Sequence, residues 1–316
     1  MPTLSEYAKL ANTDDLTAGI FENLITEDAL IAMLQFHSFQ GNSLAYNREN
    51  ALPTTSTHAV GDTWQDTEAT YSRNTASLAI VGNQSPLDRY ALQTRSSVQN
   101  LEAVHIAGMT KSAARKFSQL IIQGEPEATT TEFEGLDSLC RSETRMMAMD
   151  DGVVDGPGAA ETELTLDRFD AALDQIEGGK PDAVILNKTM RRKLTSLSRA
   201  TGSGVLMDKI EMFGHQVATY DGIPLLIDDW ITNSEQYNDA STWSSSTATT
   251  IFAVKFGQEN QGYTIIHNGE VLAPDVQNIG IKENKNENLY RLVFYVQAIT
   301  WSAKKIIALG GIDSAA

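Results

Sequence analysis

The sequence predicts an α+β fold, and three observations predict it. Helical and strand patterns do not alternate regularly along the chain, which argues against a doubly wound parallel sheet. One long amphipathic helix pattern runs from Ser96 to Gln123, ahead of a mixed body. The last third is a series of strand patterns separated by polar turns. With 316 residues, the chain is long enough for one large domain or two.

From the N-terminus, Thr3–Phe36 reads as short helical pieces. Leu4, Tyr7, Ala8 and Ala11 share a face, Ile20, Leu24 and Ile25 form a second stripe, and Thr26 and Asp28 open a capped segment Ala29–Phe36. Between Ser38 and Gln84 little is apolar. Asn, Thr, Ser and Gly dominate, with isolated Tyr46, Trp64 and Tyr71. Ser43–Arg48 and Thr75–Val81 have strand character, Pro53 to Thr57 marks a tip, and Ser85-Pro86 ends the returning strand. A two-stranded arm of this length has little stability alone. It therefore has to lie on another surface, and a second copy of the chain is the economical choice.

Ser96 and Gln99 have capping-box spacing. Leu101, Val104, Met109, Ala113, Phe117, Leu120 and Ile121 then follow at helical intervals until Gly124 and Pro126. Asp150–Gly158 is a Gly/Asp loop. Leu166, Phe169, Leu173 and Ile176 form a helical stripe closed by Gly178-Gly179. Ala183–Leu186 reads as a buried strand, Asn187 as the cap of a helix over Lys188–Arg199, and Thr201–Gly204 as a loop. His215–Tyr220, Asp221-Gly222 and Ile223–Ile227 spell a hairpin with a type I′ turn. Ser234–Thr250 is a polar insertion. Strands follow at Ile251–Phe256, Tyr263–His267, Val271–Ile281 and Leu289–Ala298, then Lys305–Leu309 before a Gly-Gly end.

Composition narrows the function. The net charge of -17 disfavours sequence-specific nucleic-acid binding, which needs a basic footprint. The apolar content of 41% is too high for a disordered acidic chain. A single cysteine, Cys140, allows no intrachain disulfide. Met1–Leu10 has no signal-peptide pattern and no apolar run is long enough to span a bilayer, so no membrane role is expected. The five histidines are scattered, and neither a nucleophile elbow, a Walker loop nor a dinucleotide fingerprint is present. Cys140 beside Arg141 reads as structural rather than as an activated thiolate, and Asp150, Asp151 and Asp155 as a polar turn rather than a calcium loop. No enzyme, no cofactor and no metal site is expected.

The order of parts resembles the major capsid protein family of tailed bacteriophages, with the Hong Kong 97-type fold that encapsulins share. Four segments carry the resemblance: Phe39-Gln40-Gly41-Asn42-Ser43 opening the extended arm, the helix Ser96–Gln123 as a spine helix, Phe133-Glu134-Gly135-Leu136 after it, and the pair Pro181–Asn187 and Tyr220–Pro224 as core strands. The resemblance implies a helical N-arm over 1–38 and an E-loop over 39–84. It implies a peripheral P-domain over 85–123 and 263–302, and an axial A-domain over 124–262 and 303–316. It also implies self-assembly through hexamers and pentamers into an icosahedral virion shell around double-stranded DNA, built in the host cytoplasm, with a separate scaffolding protein, portal and decoration protein as partners. An encapsulin compartment is the alternative. Some family members cross-link through an E-loop lysine; no lysine lies between Ser38 and Gln84, so that bond is not expected.

On this reading Tyr46, Arg48, Trp64, Tyr71 and Arg73 are the expected intersubunit contacts of the E-loop, with Trp64 first because tryptophan dominates interface hot spots. The alternatives are that Trp64 packs on its own hairpin and that the two arginines are solvated rim charges. Lys111, Arg115 and Lys116 are candidates to face packaged DNA without sequence preference. A solvated helix face explains the same three residues.

Overall fold

The structure is a computed structural model that describes residues 29–95, 101–154, 161–200, 207–212, 215–234, 248–268 and 275–315. The expected helices before Thr26, the Ser96–Gln99 capping box, the loops Asp155–Gly158 and Thr201–Gly204, most of Ser234–Thr250 and Val271–Pro274 lie outside the described residues.

A sheet of five strands carries the arm and the long helix. It contains β1 (Phe36–Phe39), β4 (Ala79–Asp88), β11 (Tyr263–Asn268), β12 (Asp275–Ile281) and β13 (Glu287–Thr300). The 14-residue β13 organises it, pairing antiparallel with β4 along Glu287–Val296, with β12 along its first half and with β11 along its last residues. β1 runs parallel to β11, with Phe36 opposite Ile265. Two expectations are corrected here. The expected helix Ala29–Phe36 is, among the described residues, helical over α1 (Ala29–Met33), and Phe36–Phe39 leaves the helix because β11 offers it an open edge. Nor does Pro86 break its strand: it lies opposite Leu289 on β4, which pairs with β13 alone, and an edge strand tolerates the missing N–H.

β2 (Ser43–Ala51) and β3 (Thr70–Ser77) form a separate two-stranded ribbon. Its tip lies at Val60-Gly61, inside the Ala59–Asp62 turn, beyond the expected Pro53–Thr57. There the Asp62 N–H donates to the Ala59 carbonyl at 3.2 Å, and the Asp62 carboxylate accepts from the Ala59 N–H.

After α2 (Arg89–Arg95) comes α3 (Leu101–Gln123), about 35 Å long at 1.5 Å per residue. Its buried side, Leu101, Met109, Phe117, Leu120 and Ile121, is the stripe read from the sequence. The helix stops where the chain crosses itself. Gly124 and Gly135 touch so closely that a Cβ on Gly135 would lie 2.4 Å from the Gly124 nitrogen. The Gly135 N–H donates to the Gly124 carbonyl at 2.8 Å. Only glycine fits on both sides of that crossing.

The second sheet has seven strands in the order β5-β14-β10-β6-β9-β8-β7. They are β5 (Met146–Ala148), β6 (Ala183–Leu186), β7 (Met207–Met212), β8 (His215–Tyr220), β9 (Ile223–Ile227), β10 (Ala248–Val254) and β14 (Ile306–Asp313). One face, with Ile185, Leu226, Phe252, Ile306 and Ala308, packs with α3 and α4 (Leu136–Ser142). The other face, with Val184, Leu186, Leu225, Ala253 and Leu309, is covered by α5 (Leu166–Asp174) and α6 (Lys188–Ala200). Cover on both faces explains the continuous apolar run of β6.

Local signals are kept in this layer. Thr165 caps α5, and the Asn187 side chain accepts from the Met190 N–H at 2.8 Å. Asp221 and Gly222 both have positive φ, 48° and 80°, as a type I′ turn requires. Gly310-Gly311 is not an end, which corrects the expectation: β14 runs through it to Asp313. Two residues there oppose one on β10, a bulge with Gly311 at φ 72°.

Candidate assembly surfaces

The ribbon is fixed at its root and bare at its tip. Leu44, Tyr46 and Ala76 pack with Phe39, Ile266 and Ile299 of the five-stranded sheet and with Trp301 just beyond β13. The Tyr46 ring meets Trp301 edge-on at 5.3 Å. Arg48 makes the strongest tie. Its guanidinium pairs with Glu143 at 2.5 Å and donates to the carbonyls of Thr300 at 2.7 Å and Trp301 at 3.0 Å. Both side chains of the ion pair are under one-fifth exposed. Arg48 also lies 5.7 Å from the Tyr46 ring centroid, within cation–π range.

Tyr46 and Arg48, two of the expected intersubunit contacts, both make contacts within their own chain. The reason is a helix-end carboxylate, Glu143 after α4, and two carbonyls at the end of β13 that only a five-donor fork satisfies together. Sequence reasoning missed Glu143 and Trp301 as their partners. Residues separated by 95 and 253 positions leave no local signal.

From Ala51 to Thr70 nearly every residue is exposed. Leu52 is 67% exposed, Trp64 75% and Tyr71 66%, and Val60 is fully open. Trp64 stacks over His58 at 4.1 Å, and His58 Nε2 is 2.9 Å from Ser56 Oγ. The indole thus touches its own hairpin on one side and leaves the larger part of its surface uncovered. Arg73 is exposed and lines the mouth of a cleft of about 1000 Å³ below the ribbon, together with Tyr46, Pro126, Glu132, Glu134 and Ile299. Burial, reinforced by Glu143 and Glu127 and opposed by a hydrogen bond from Ser142, holds the Glu134 carboxyl above its ordinary range.

On α3, Lys111, Arg115 and Lys116 lie on the exposed side, opposite the buried stripe. Lys116 pairs with Glu132 at 2.9 Å. Cys140 is fully buried, and burial pushes its thiol well above the usual range, so it is no nucleophile at neutral pH. Asp150 and Asp151 turn their carboxylates onto the N–H groups of Asp151 and Val153, as a polar turn does. No helix among the described residues is long and apolar enough to cross a membrane.

No protein-family model and no curated protein sequence matches this chain. Solved structures do match. The holo-SrpI encapsulin of Synechococcus elongatus PCC 7942 superposes with a TM-score of 0.71 over 100% of this chain and 98% of its own, at 14% identity. The capsid of Cyanophage A-1(L) gives 0.67 over 96% and 99%, at 12% identity. The capsid of an empty GTA particle gives 0.63 over 95% and 94%, at 14% identity. The likeness spans nearly the full length of each chain. This α+β molecule has the Hong Kong 97-type capsid fold, with extended arm, spine helix and two sheet regions.

Proposed function

We propose that this chain is the major capsid protein of a tailed bacteriophage, a structural protein and not an enzyme, which assembles through hexamers and pentamers into the icosahedral head around double-stranded DNA. The observation that carries the reading is the bare arm: a ribbon bolted to its own sheet by Arg48 and Tyr46 whose outer half, from Ala51 to Thr70, is almost wholly exposed and touches little beyond itself among the described residues. It stands on a fold whose matched structures are capsids and an encapsulin.

In this reading the arm is the E-loop and Trp64 and Tyr71 reach a neighbouring copy, with Arg73 at its base. The five-stranded sheet with α3 is the P-domain, the seven-stranded sheet with its helices is the A-domain, and residues 1–38 are the N-arm. Lys111, Arg115 and Lys116 face packaged DNA. A scaffolding protein, portal and decoration protein are the further partners, and the shell is held without an E-loop lysine bond.

The test is negative-stain electron microscopy with light scattering on the purified protein and on Trp64→Ala. Wild type should form hexamers, pentamers or closed shells. Trp64→Ala should melt at the same temperature and assemble more weakly, by about 2 kcal/mol per contact if the indole is an anchor. A wild-type chain that stays monomeric at every salt concentration sinks the reading. The encapsulin alternative is favoured by one observation, the TM-score of 0.71. Nucleic acid inside purified particles separates the two.

A further inference from the structure

The two helices that cover the outer face of the seven-stranded sheet carry opposite charge stripes. On α5, Asp167, Asp170 and Asp174 repeat at i, i+3 and i+7 and are all exposed, and Glu177 follows one turn on. On α6, Arg191, Arg192 and Arg199 are exposed, while Met190 and Leu194 point into the core. No acidic residue lies between Lys188 and Met207, a basic island in a chain of net charge -17.

Neighbouring charges are already committed. Lys188 pairs with Asp229, Lys193 donates to the Asp313 carbonyl, Glu177 pairs with Lys304, and Asp170 accepts from the Tyr220 hydroxyl. Among the described residues the side chains of Arg191, Arg192, Arg199, Asp167 and Asp174 make no hydrogen bond or ion pair. The two stripes do not meet within the chain. α5 packs on β14 and α6 on β9, three strands away in the sheet order, about 14 Å at the usual strand spacing.

We infer that the basic stripe of α6 docks against the acidic stripe of α5 on a second copy, and that this pairing closes the capsomer ring. The argument is charge complementarity within the ring assembly proposed above. A two-fold contact with its axis between the stripes pairs them reciprocally and stops at two copies; a head-to-tail contact pairs one stripe of each copy with the other stripe of the next, and such contacts generate rings when the rotation closes. Arginine is suited to the role because its fork meets a short carboxylate in two-point geometry. This inference rests on the assembly proposed above and adds the surface by which neighbours recognise one another.

The test uses the full chain in two charge-reversed forms, R191E/R192E and D167R/D174R, with wild type as control. Circular dichroism and melting establish that each form folds; R191Q/R192Q replaces the first if it does not. Each reversed form alone should need about tenfold or more higher concentration to assemble than wild type. Mixed one to one, they should recover hexamers but not pentamers, since one form is acidic on both stripes and the other basic on both. Such subunits can alternate only in even rings. The form with all four changes should recover both ring sizes. Reversed forms that assemble like wild type, or a mixture that recovers nothing, overturn the inference and leave the capsid reading standing. Loss of nucleic-acid binding by R191E/R192E with unchanged assembly overturns it in favour of a nucleic-acid face. A wild-type chain that does not assemble removes both.

Discussion

Arg48 is the residue on which the arm's direction depends. Truncation to alanine leaves the half-buried Glu143 carboxylate without its partner and strips the Thr300 and Trp301 carbonyls of their donor. The expected loss is about 2–3 kcal/mol, read as a shift in the urea midpoint at unchanged slope. Arg48→Lys should recover only part of it, because one ammonium cannot reach three acceptors in that plane. Glu134 acts in the opposite sense. Its carboxyl is raised above the ordinary 4.5 mainly by burial, with Glu143 and Glu127 adding to it. As pH rises through 4.5 the unfolded chain releases this proton first, so stability present at acid pH is lost on the way to neutrality. Glu134→Gln should therefore raise the melting temperature at pH 7 and leave it unchanged below about pH 4. Equal effects at both pH values would show that packing, not ionisation, was altered. None of this was legible beforehand. The sequence names Arg48 as a charged arm residue but not as a clamp, because its partners are set by the return of β13 across the root of the ribbon.

At the scale of elements, the crossing of Gly124 and Gly135 links α3 to the second sheet. A Cβ at Gly124 would lie 2.2 Å from the Phe133 carbonyl oxygen, and the obstacle is backbone, which cannot rotate aside. Gly135→Ala should cost about 3 kcal/mol or more, enough to lower soluble yield, whereas Gly108→Ala, on the open side of the same helix, should be neutral or stabilising. Comparing denaturant midpoints of the two variants checks this. Elements with strong local signals were readable in advance: α5 from its apolar stripe, α6 from its Asn187 cap, β8 and β9 from Asp-Gly, β6 from its unbroken apolar run. β1 and β7 were not. Phe36–Phe39 continues an apparently helical segment, and Met207–Met212 follows a polar loop, so each becomes a strand only because a sheet edge is available to it. Pro86 and Gly310-Gly311 misled for the same reason. A breaker residue stays inside a strand when that strand is an edge, or when the ladder takes a bulge.

For the whole molecule, two electrostatic effects oppose each other. Subunits of charge -17 repel over distances set by the Debye length, about 10 Å at 0.1 M salt and about 30 Å at 0.01 M. Short-range pairing between the stripes of α5 and α6 is attractive and is weakened by concentrated salt. Assembly should therefore pass through a maximum at intermediate ionic strength, followed by light scattering across a salt series. R191Q/R192Q should flatten the high-salt decline while keeping the low-salt one. An assembly yield independent of salt would contradict both effects.

The sequence by itself determined the α+β class, the spine helix and its buried stripe, the capped helices, the type I′ hairpin and an arm too polar to bury itself. All of these depend on interactions within a few residues, where periodicity, capping and turn chemistry act. Tertiary structure decided which strands are edges, where β1 and β7 join their sheets, how Arg48 and Tyr46 hold the arm, and that two oppositely charged helices share one face. Those outcomes depend on which distant segments meet, and contacts between residues far apart in the chain leave no periodic trace in the sequence that makes them.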